Sequence, residues 1–247
     1  MLIYLIMFLA GIIAGFINTI AGGGSALTLP VLILTGMPSV TANATNRIGI
    51  LFQNIMATSR FHHHKQLQIK PIIHITIAAV LGSVLGSISA VNIRTAIFDK
   101  ILALIFLLIL VTIFLPKLKL NERKLPKWVE FIIFFFVGIY GGLIQAGVGF
   151  IFLATLNLVE SFNLVKANAV KVFIVLCYTI IAVIVFALSE KIVWLHGFIL
   201  AIGTTIGAFI GVHAAVKGGE KVVKLVLTIA VVAASLKLLG IIQLPTF

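Results

Sequence analysis

The chain has 247 residues, of which 62% are hydrophobic and only 10% are charged. Soluble domains are about 45–50% apolar and about 25% charged, so this composition excludes a soluble globular protein. Its apolar runs are near 20 residues long, which indicates membrane helices, since barrel strands would alternate apolar and polar residues. The formal net charge of +12 would suit a nucleic-acid partner. The basic residues are scattered through short loops, however, so we expect a lipid bilayer as the partner and no nucleic acid.

Ten apolar segments follow one another along the chain. Eight are long, at 2–21, 41–59, 71–91, 98–115, 129–147, 167–188, 192–213 and 222–241. Two are short, at 25–36 and 149–160, and each follows a glycine cluster. Eleven or twelve helical residues rise about 16–18 Å, half of a bilayer core of about 30 Å. The short segments therefore either re-enter the membrane or complete broken spans. Ten crossings would place twelve basic loop residues on one side and four on the other, whereas eight crossings would give ten and six. The positive-inside rule favours ten.

The two halves of the chain resemble each other. Gly11, Gly15 and Gly22 match Gly138, Gly142 and Gly149 at an offset of 127 residues, and Asn43 matches Asn168 at an offset of 125. We predict an all-α polytopic membrane protein with two repeated halves of four to five membrane helices each. The first membrane repeat spans 1–116, a charged cytoplasmic linker spans 117–128, and the second repeat spans 129–247. Five crossings per half would make the repeats inverted, and four would make them parallel; the charge distribution favours inverted repeats with glycine-broken helices.

Glycines interrupt the apolar sequence at corresponding places in the two halves, Gly22–Gly24 and Gly147–Gly149. Such breaks free backbone N–H groups, and the short helices that follow direct their positive dipole ends toward the breaks, which suits an anion. Discontinuous helices in corresponding positions of two halves also point to a transporter binding site. The alternative is a tight helix crossing that only glycine can fit. Polar residues beside the breaks complete this part of the candidate site: Asn18, Thr19, Ser25 and Gln145.

Two basic residues, Arg47 and Lys171, lie several residues inside apolar helices. A cation near the bilayer centre costs about 2.5–3.5 kcal/mol on the insertion scale, so it usually faces a cavity or a partner. All six acidic residues fall at or near predicted segment ends, so a substrate anion is the natural partner. The alternative is snorkelling, because both residues lie one to two turns from a helix start.

Asparagines accompany these cations on the same helices. Asn43, Asn46 and Arg47 fall at i, i+3 and i+4, which places them on one helical face, and Asn168 precedes Lys171 by three residues. Amides donate hydrogen bonds to oxyanions without adding fixed charge. The alternative is that these amides only bridge neighbouring membrane helices.

Enzyme motifs are absent from the sequence: it contains no HExxH, GxSxG or GxxxxGK[ST] pattern and no buried carboxylate pair. We therefore predict no catalytic residue, no cofactor and no metal site. A histidine tract, His62–His64, lies in a basic loop and would suit a metal, but it lacks a complete ligand set. We interpret it as part of a solvated loop.

The sequence resembles the TauE/SafE family of sulfite and organosulfonate exporters. The resemblance lies in NTIAGGGSALTLPVL, in TANATNR with its following QN, in GSVLG, and in the second-half segments GLIQAGVGF and KANAVK. It implies transport of small anions across the plasma (cell inner) membrane, such as sulfur oxyanions, sulfonates or related carboxylates. The second half departs from the first, with Val148 inside its glycine cluster and Lys171 where the first half has Asn46. We therefore expect the halves to contribute unequally to the site.

The function that the sequence favours is a secondary transporter that exports small anions by alternating access around a midplane site. No acidic residue is embedded as a proton relay, which favours facilitated export or exchange. An anion channel could use the same groups, and a membrane enzyme would need a nucleophile or metal set that is missing. Glycine-faced helices would also suit a homodimer. The predicted substrate-binding residues are Asn18, Thr19, Gly22, Gly23, Gly24, Ser25, Asn43, Asn46, Arg47, Gln145, Gly147, Gly149, Asn168 and Lys171.

Overall fold

The computed structural model describes residues 2–114, 125–160 and 162–238, and every regular element in these ranges is helical, as the sequence predicts. One 3-10 turn, Lys70–Ile72, precedes the fourth α-helix. The α-helices are α1 Leu2–Ile20, α2 Ser25–Leu34, α3 Ser39–His63, α4 Ile73–Asn92, α5 Thr95–Phe114, α6 Lys127–Leu143, α7 Val148–Glu160, α8 Leu164–Leu188 and α9 Trp194–Leu238.

Four stretches of the described chain are long and apolar enough to cross a membrane: Leu2–Ile20, Lys70–Asn92, Leu164–Leu188 and Trp194–Gly218. Two shorter apolar stretches, Ser25–Leu34 and Val148–Asn157, follow the glycine breaks. The helix α3 has 25 residues but is much less apolar than these, because several amides and Arg47 interrupt its apolar sequence. The described helices therefore include two short ones at the predicted places.

The last helix corrects the prediction of eight long segments. The sequence suggested separate segments at 192–213 and 222–241, but α9 runs without interruption from Trp194 to Leu238. The paired glycines Gly218 and Gly219 cost a helix only about 1 kcal/mol each, and no proline accompanies them to end it. At 1.5 Å per residue, 45 helical residues extend about 68 Å, more than twice the bilayer core.

Two smaller boundaries also differ from the prediction. The fifth long segment was expected to reach residue 147, but α6 ends at Leu143, so Gln145 belongs to the break itself. Of the predicted linker 117–128, residues 117–124 lie outside the described ranges, while Lys127 and Trp128 already form the start of α6. Pro126 stands at the N-cap of α6, where its missing N–H costs the helix no hydrogen bond.

Helices from one half of the sequence pack against helices from the other. The helix α1 lies along α9, and α4 lies along α6. Small residues make both contacts possible: a Cβ on Gly207 would overlap the carbonyl of Ile12, and a Cβ on Gly86 would overlap the carbonyl of Ile139. The small-xxx-small spacing of these glycines therefore serves close helix packing.

The outer surface of the bundle is apolar. On α4, five large aliphatic side chains recur at intervals of three or four residues and are exposed: Ile73, Ile77, Leu81, Leu85 and Ile88. The opposite face of the same helix carries Gly82 and Gly86, which contact α6. An exposed apolar stripe with a small-residue face behind it is what a lipid-facing helix requires. Several polar residues of the bundle, among them Asn43, Arg47 and Lys171, lie inside.

Candidate functional site

The two glycine breaks contact each other at the backbone. Gly22 has a φ of +92°, which only glycine adopts without strain, and a Cβ built on it would overlap the backbone of Gly149. The reverse also holds, because a Cβ on Gly149 would overlap Gly22. Gly147 likewise has a positive φ of 73°. Both interpretations of the breaks therefore apply to the geometry: they form a crossing that needs glycine, and they bring two helix starts together.

The short helices α2 and α7 begin at this contact with free amides. No oxygen in the described part of the chain accepts a hydrogen bond from the amides of Gly23, Gly24 or Ser25, or from those of Ala146 and Gly147. The Gly24 N-cap of α2 makes no side-chain capping hydrogen bond. Two positive dipole ends with unpaired N–H groups thus meet at one place, which is the arrangement that binds anions at helix N-termini.

Arg47 is fully buried, with 0% of its surface exposed, so snorkelling is excluded. Its Nη2 donates to the carbonyl of Gly142 at 2.6 Å and its Nη1 donates to Oε1 of Gln145 at 3.2 Å. The guanidinium carbon lies 5.0 Å from the centre of the Phe186 ring. These contacts place the charge of α3 at the C-terminal end of α6, where the carbonyl dipoles are negative. Its Nε has no partner among the described residues.

Lys171 makes the reciprocal contact from α8 to the end of α1. It is 2% exposed, and its ammonium donates to the carbonyls of Asn18 at 2.9 Å and Thr19 at 3.1 Å. A third hydrogen bond of 2.7 Å goes to Oδ1 of Asn168. Each buried cation therefore caps a broken helix of the other half. Neither pairs with a carboxylate in the described part of the chain, where the one ion pair is His74–Glu130 at 2.7 Å.

The predicted amides lie around these cations. Asn43 donates to the carbonyl of Leu143 at 3.0 Å and accepts from the amide of Gln145 at 3.5 Å, which holds the second break against α3. The oxygen of Asn46 accepts from the Thr28 hydroxyl at 2.7 Å, which ties α3 to α2. At the first break, the side chain of Asn18 lies against Gly24, and the Phe150 ring covers Gly23. The structure thus gathers the predicted residues at or beside the two breaks.

Several buried polar atoms in this region have no partner among the described residues. The donors are the side-chain nitrogens of Asn46 and Asn168 and the hydroxyls of Thr19 and Ser25. Gln145, in contrast, has both ends of its amide bonded. Since an unpaired buried polar group costs about 1–3 kcal/mol, such a group indicates a ligand or water.

Three contributing residues were missed by the sequence prediction: Tyr178, Phe186 and Thr28. The hydroxyl of Tyr178 lies 3.1 Å from Nε2 and 3.3 Å from Oε1 of Gln145. Tyr178 follows Lys171 by seven residues, two helical turns, so their shared face could have revealed it. Phe186 and Thr28 gave no such signal, because an aromatic ring or a threonine in an apolar helix is ordinary.

Acidic and metal-binding groups lie apart from the breaks. Among the described residues, no group of three His, Cys, Asp or Glu side chains is placed to hold a metal ion, and this includes the His62–His64 tract. Glu130, which is buried, pairs with His74 at the starts of α6 and α4. The charge at the junction of the breaks is therefore carried by the cations and the helix dipoles.

Comparisons with known proteins identify the family of this chain. The family description "Sulfite exporter TauE/SafE" matches residues 7–238. A probable membrane transporter protein of Haemophilus influenzae is 32% identical over 225 residues, covering 89% of this chain and 88% of the relative. The probable membrane transporter proteins ORF9 of Sinorhizobium sp and YfcA of Escherichia coli are each 28% identical and cover 95% of this chain, with 91% and 88% of their own lengths. No solved structure matches. The chain belongs to the sulfite exporter TauE/SafE family and is a multi-pass membrane transporter, not an enzyme.

Proposed function

We propose that the protein exports small anions across the plasma membrane, and that the substrate binds where the two glycine breaks meet. The observation that carries this proposal is the convergence of two helix starts and two buried cations with no acidic residue among the described groups around them. The two helix starts and the two cations favour negative charge at this place, while the negative carbonyl ends of α6 and α1 are capped by the cations. Sulfur oxyanions, sulfonates and small carboxylates present the acceptor oxygens that such a site would bind.

Several groups can donate hydrogen bonds to the substrate without giving up the hydrogen bonds that hold the helix ends. The side-chain nitrogens of Asn46 and Asn168 and the hydroxyl of Ser25 are buried and unpartnered among the described residues. Backbone amides of Gly23 and Gly24 add directional hydrogen bonds. Arg47 and Lys171 supply the positive field, and their own hydrogen bonds to carbonyls hold them in place. The remaining predicted residues form the contact between the breaks or make hydrogen bonds that hold it in place.

Alternating access would follow from a rocking motion of two inverted repeats, 1–116 and 129–247, around this site. The exchange of helix contacts between halves supports this arrangement, because α1 packs on α9 and α6 packs on α4. The side chain of Arg47 bonds from the first half to the second, and the side chain of Lys171 bonds from the second half to the first. Any motion of one half relative to the other therefore has to strain or exchange these hydrogen bonds. A bound anion would compensate the cations while those bonds are rearranged.

The experiment is uptake of labelled sulfite, sulfate, a sulfonate and a small hydroxy- or mercapto-carboxylate into proteoliposomes. We expect saturable flux of at least one anion for the wild type and loss of that flux in Arg47→Ala. Arg60→Ala is the matched control, because Arg60 lies on the same helix but stacks on Phe209 near its end, away from the breaks. Arg60→Ala should transport normally. Size-exclusion profiles establish that each variant is folded.

Two outcomes would contradict the proposal. Normal flux in Arg47→Ala would remove Arg47 from the site and leave it as a packing residue. Flux that rises in proportion to concentration, with large unitary currents, would indicate an anion channel instead of a transporter.

A further inference from the structure

One buried side chain of α3 has no explanation in the contacts described above. Gln53 is 1% exposed, and neither Nε2 nor Oε1 of its amide has a hydrogen-bond partner among the described residues. Because both atoms are unpaired, exchanging the assignment of oxygen and nitrogen changes nothing. A buried amide with two unpaired ends is rare in native structures and calls for a ligand or water.

The position of Gln53 connects it to the site. It follows Asn46 by seven residues, which is two helical turns on one face of α3, and the amide nitrogen of Asn46 is also unpaired among the described residues. Seven residues rise about 10 Å along the helix. A ligand that forms hydrogen bonds of about 2.9 Å with both side chains therefore has to place its two bonding groups several ångströms apart, as a chain of two or three carbons does.

The residue of the second half that corresponds to Gln53 does have a hydrogen-bond partner. The offset of 125 that aligns Asn43 with Asn168 aligns Gln53 with Tyr178. The Tyr178 hydroxyl bonds Gln145, and the offset of 127 that relates the two breaks aligns Gln145 with Asn18. The corresponding pair at the first break would be Gln53 and Asn18, but no hydrogen bond joins them. The residue at this position thus has a hydrogen-bond partner at the second break and none among the described residues at the first.

The unpaired amide atoms of Gln53 restrict which ligand can bind beside it. An anionic headgroup offers only acceptors, so it can satisfy the amide nitrogens of Asn46 and Asn168 but not the oxygen of Gln53. That oxygen needs a donor, while Nε2 beside it needs an acceptor. A hydroxyl or an amine carried by the substrate supplies what an inorganic anion cannot.

We propose that Gln53 is a specificity-determining residue of the anion site, and that it recognises a hydroxyl or amine that the substrate carries two or three carbons from its anionic group. This inference rests on the proposed function. It assigns a substrate class: short organic anions with a second, hydrogen-bonding group. A site built to bond a substrate hydroxyl rejects the analogue that lacks it, because its own polar groups are then left unpaired.

The test uses two pairs of probes that differ only in a hydroxyl. They are 2-hydroxyethanesulfonate against ethanesulfonate, and malate against succinate, and all four are ionised at neutral pH. Initial rates are measured in proteoliposomes for the wild type, for Gln53→Leu and for Asn54→Leu. Asn54 is the matched control, since it is adjacent and buried but its amide already donates to the carbonyl of Ile50 at 2.7 Å.

We expect the wild type to transport the hydroxylated member of a pair at least about tenfold more efficiently. In Gln53→Leu the ratio should fall to near one, and in Asn54→Leu the ratio should persist. A wild-type ratio near one would overturn the inference, and would mean that Gln53 binds only water. So would an unchanged ratio in Gln53→Leu. If that variant does not fold, Gln53→Glu provides the comparison, and the wild-type ratio alone still decides whether hydroxyls are selected.

The results also separate this inference from the proposed function. Transport of sulfite or sulfate without transport of any organic probe would overturn the role of Gln53 and leave the anion transporter intact. If no anion of either set is transported, the proposed function itself fails.

Discussion

The two glycine breaks are built alike but differ in how completely their polar groups are paired. At the second break, Gln145 is bonded by Arg47 and Tyr178, and Asn43 holds the backbone beside it. At the first break, Lys171 caps the end of α1, yet the hydroxyls of Thr19 and Ser25 have no partner among the described residues. The comparison suggests a division of roles, in which the second break is a fixed support and the first is the side that receives the substrate.

The largest expected effect comes from separating the breaks. Gly149→Ala places a methyl group into the backbone of Gly22, so we expect loss of transport together with a large loss of folded protein. Gly36→Ala is the control for a methyl group that meets no neighbour: a Cβ there would find nothing within 4 Å, although Gly36 itself has a φ of +87°. That substitution should cost only about 1–2 kcal/mol of strain and keep transport.

Thermal unfolding in detergent and uptake into proteoliposomes measure this pair of variants. Equal behaviour of Gly149→Ala and Gly36→Ala would show that the contact between the breaks does not matter, and the comparison of the two breaks would lose its structural basis.

A smaller effect is expected from removing the cap of the first break. Lys171→Met leaves the carbonyls of Asn18 and Thr19 without their donor, which should lower the free energy of unfolding by about 1–3 kcal/mol and abolish transport. Denaturation of the purified protein measures the first effect and anion uptake the second. Wild-type stability together with wild-type uptake would show that Lys171 neither caps α1 nor contributes charge to the site.

The smallest effect is expected at the second break, where both ends of the Gln145 amide are bonded. Tyr178→Phe removes one hydroxyl from Gln145, which keeps its bond to Arg47, so the loss should be about 0.5–1 kcal/mol of stability. Transport should weaken only a few-fold, because this side is a support and not the receiving face. A loss of transport as complete as that in Lys171→Met would reverse the roles assigned to the two breaks.

Much of this arrangement could be predicted from the sequence, because helices and breaks follow from local chemistry. Apolar length predicts the helices, and the repeated glycines mark both breaks and their equivalence. The positions of Arg47 and Lys171 inside apolar segments left burial and snorkelling as alternatives, and the structure shows that both residues are buried. The breaks at Gly22 and Gly149, which occupy corresponding positions in the two halves of the sequence, contact each other.

Other features depend on contacts that leave no local signal. The partners of Arg47 and Lys171 are main-chain carbonyls 95 and 153 residues away, and every residue type carries a carbonyl. The continuity of α9 through Gly218 and Gly219 could not be predicted either, since a basic segment with two glycines usually indicates a loop. The end of α6 at Leu143 places Gln145 in the break, and tertiary contacts with Asn43 hold it there.

The contact between Gly22 and Gly149 also constrains how such a transporter can be re-engineered or can diverge. Neither residue has a side chain to enlarge, shrink or charge, so the junction itself offers no adjustable position. If the substrate binds at the junction as proposed, its selectivity depends on neighbouring side chains such as Asn18, Ser25, Asn46 and Gln53. A mutant library aimed at new substrates should randomise those residues and keep both glycines fixed, so that variants differ in selectivity while sharing one intact contact.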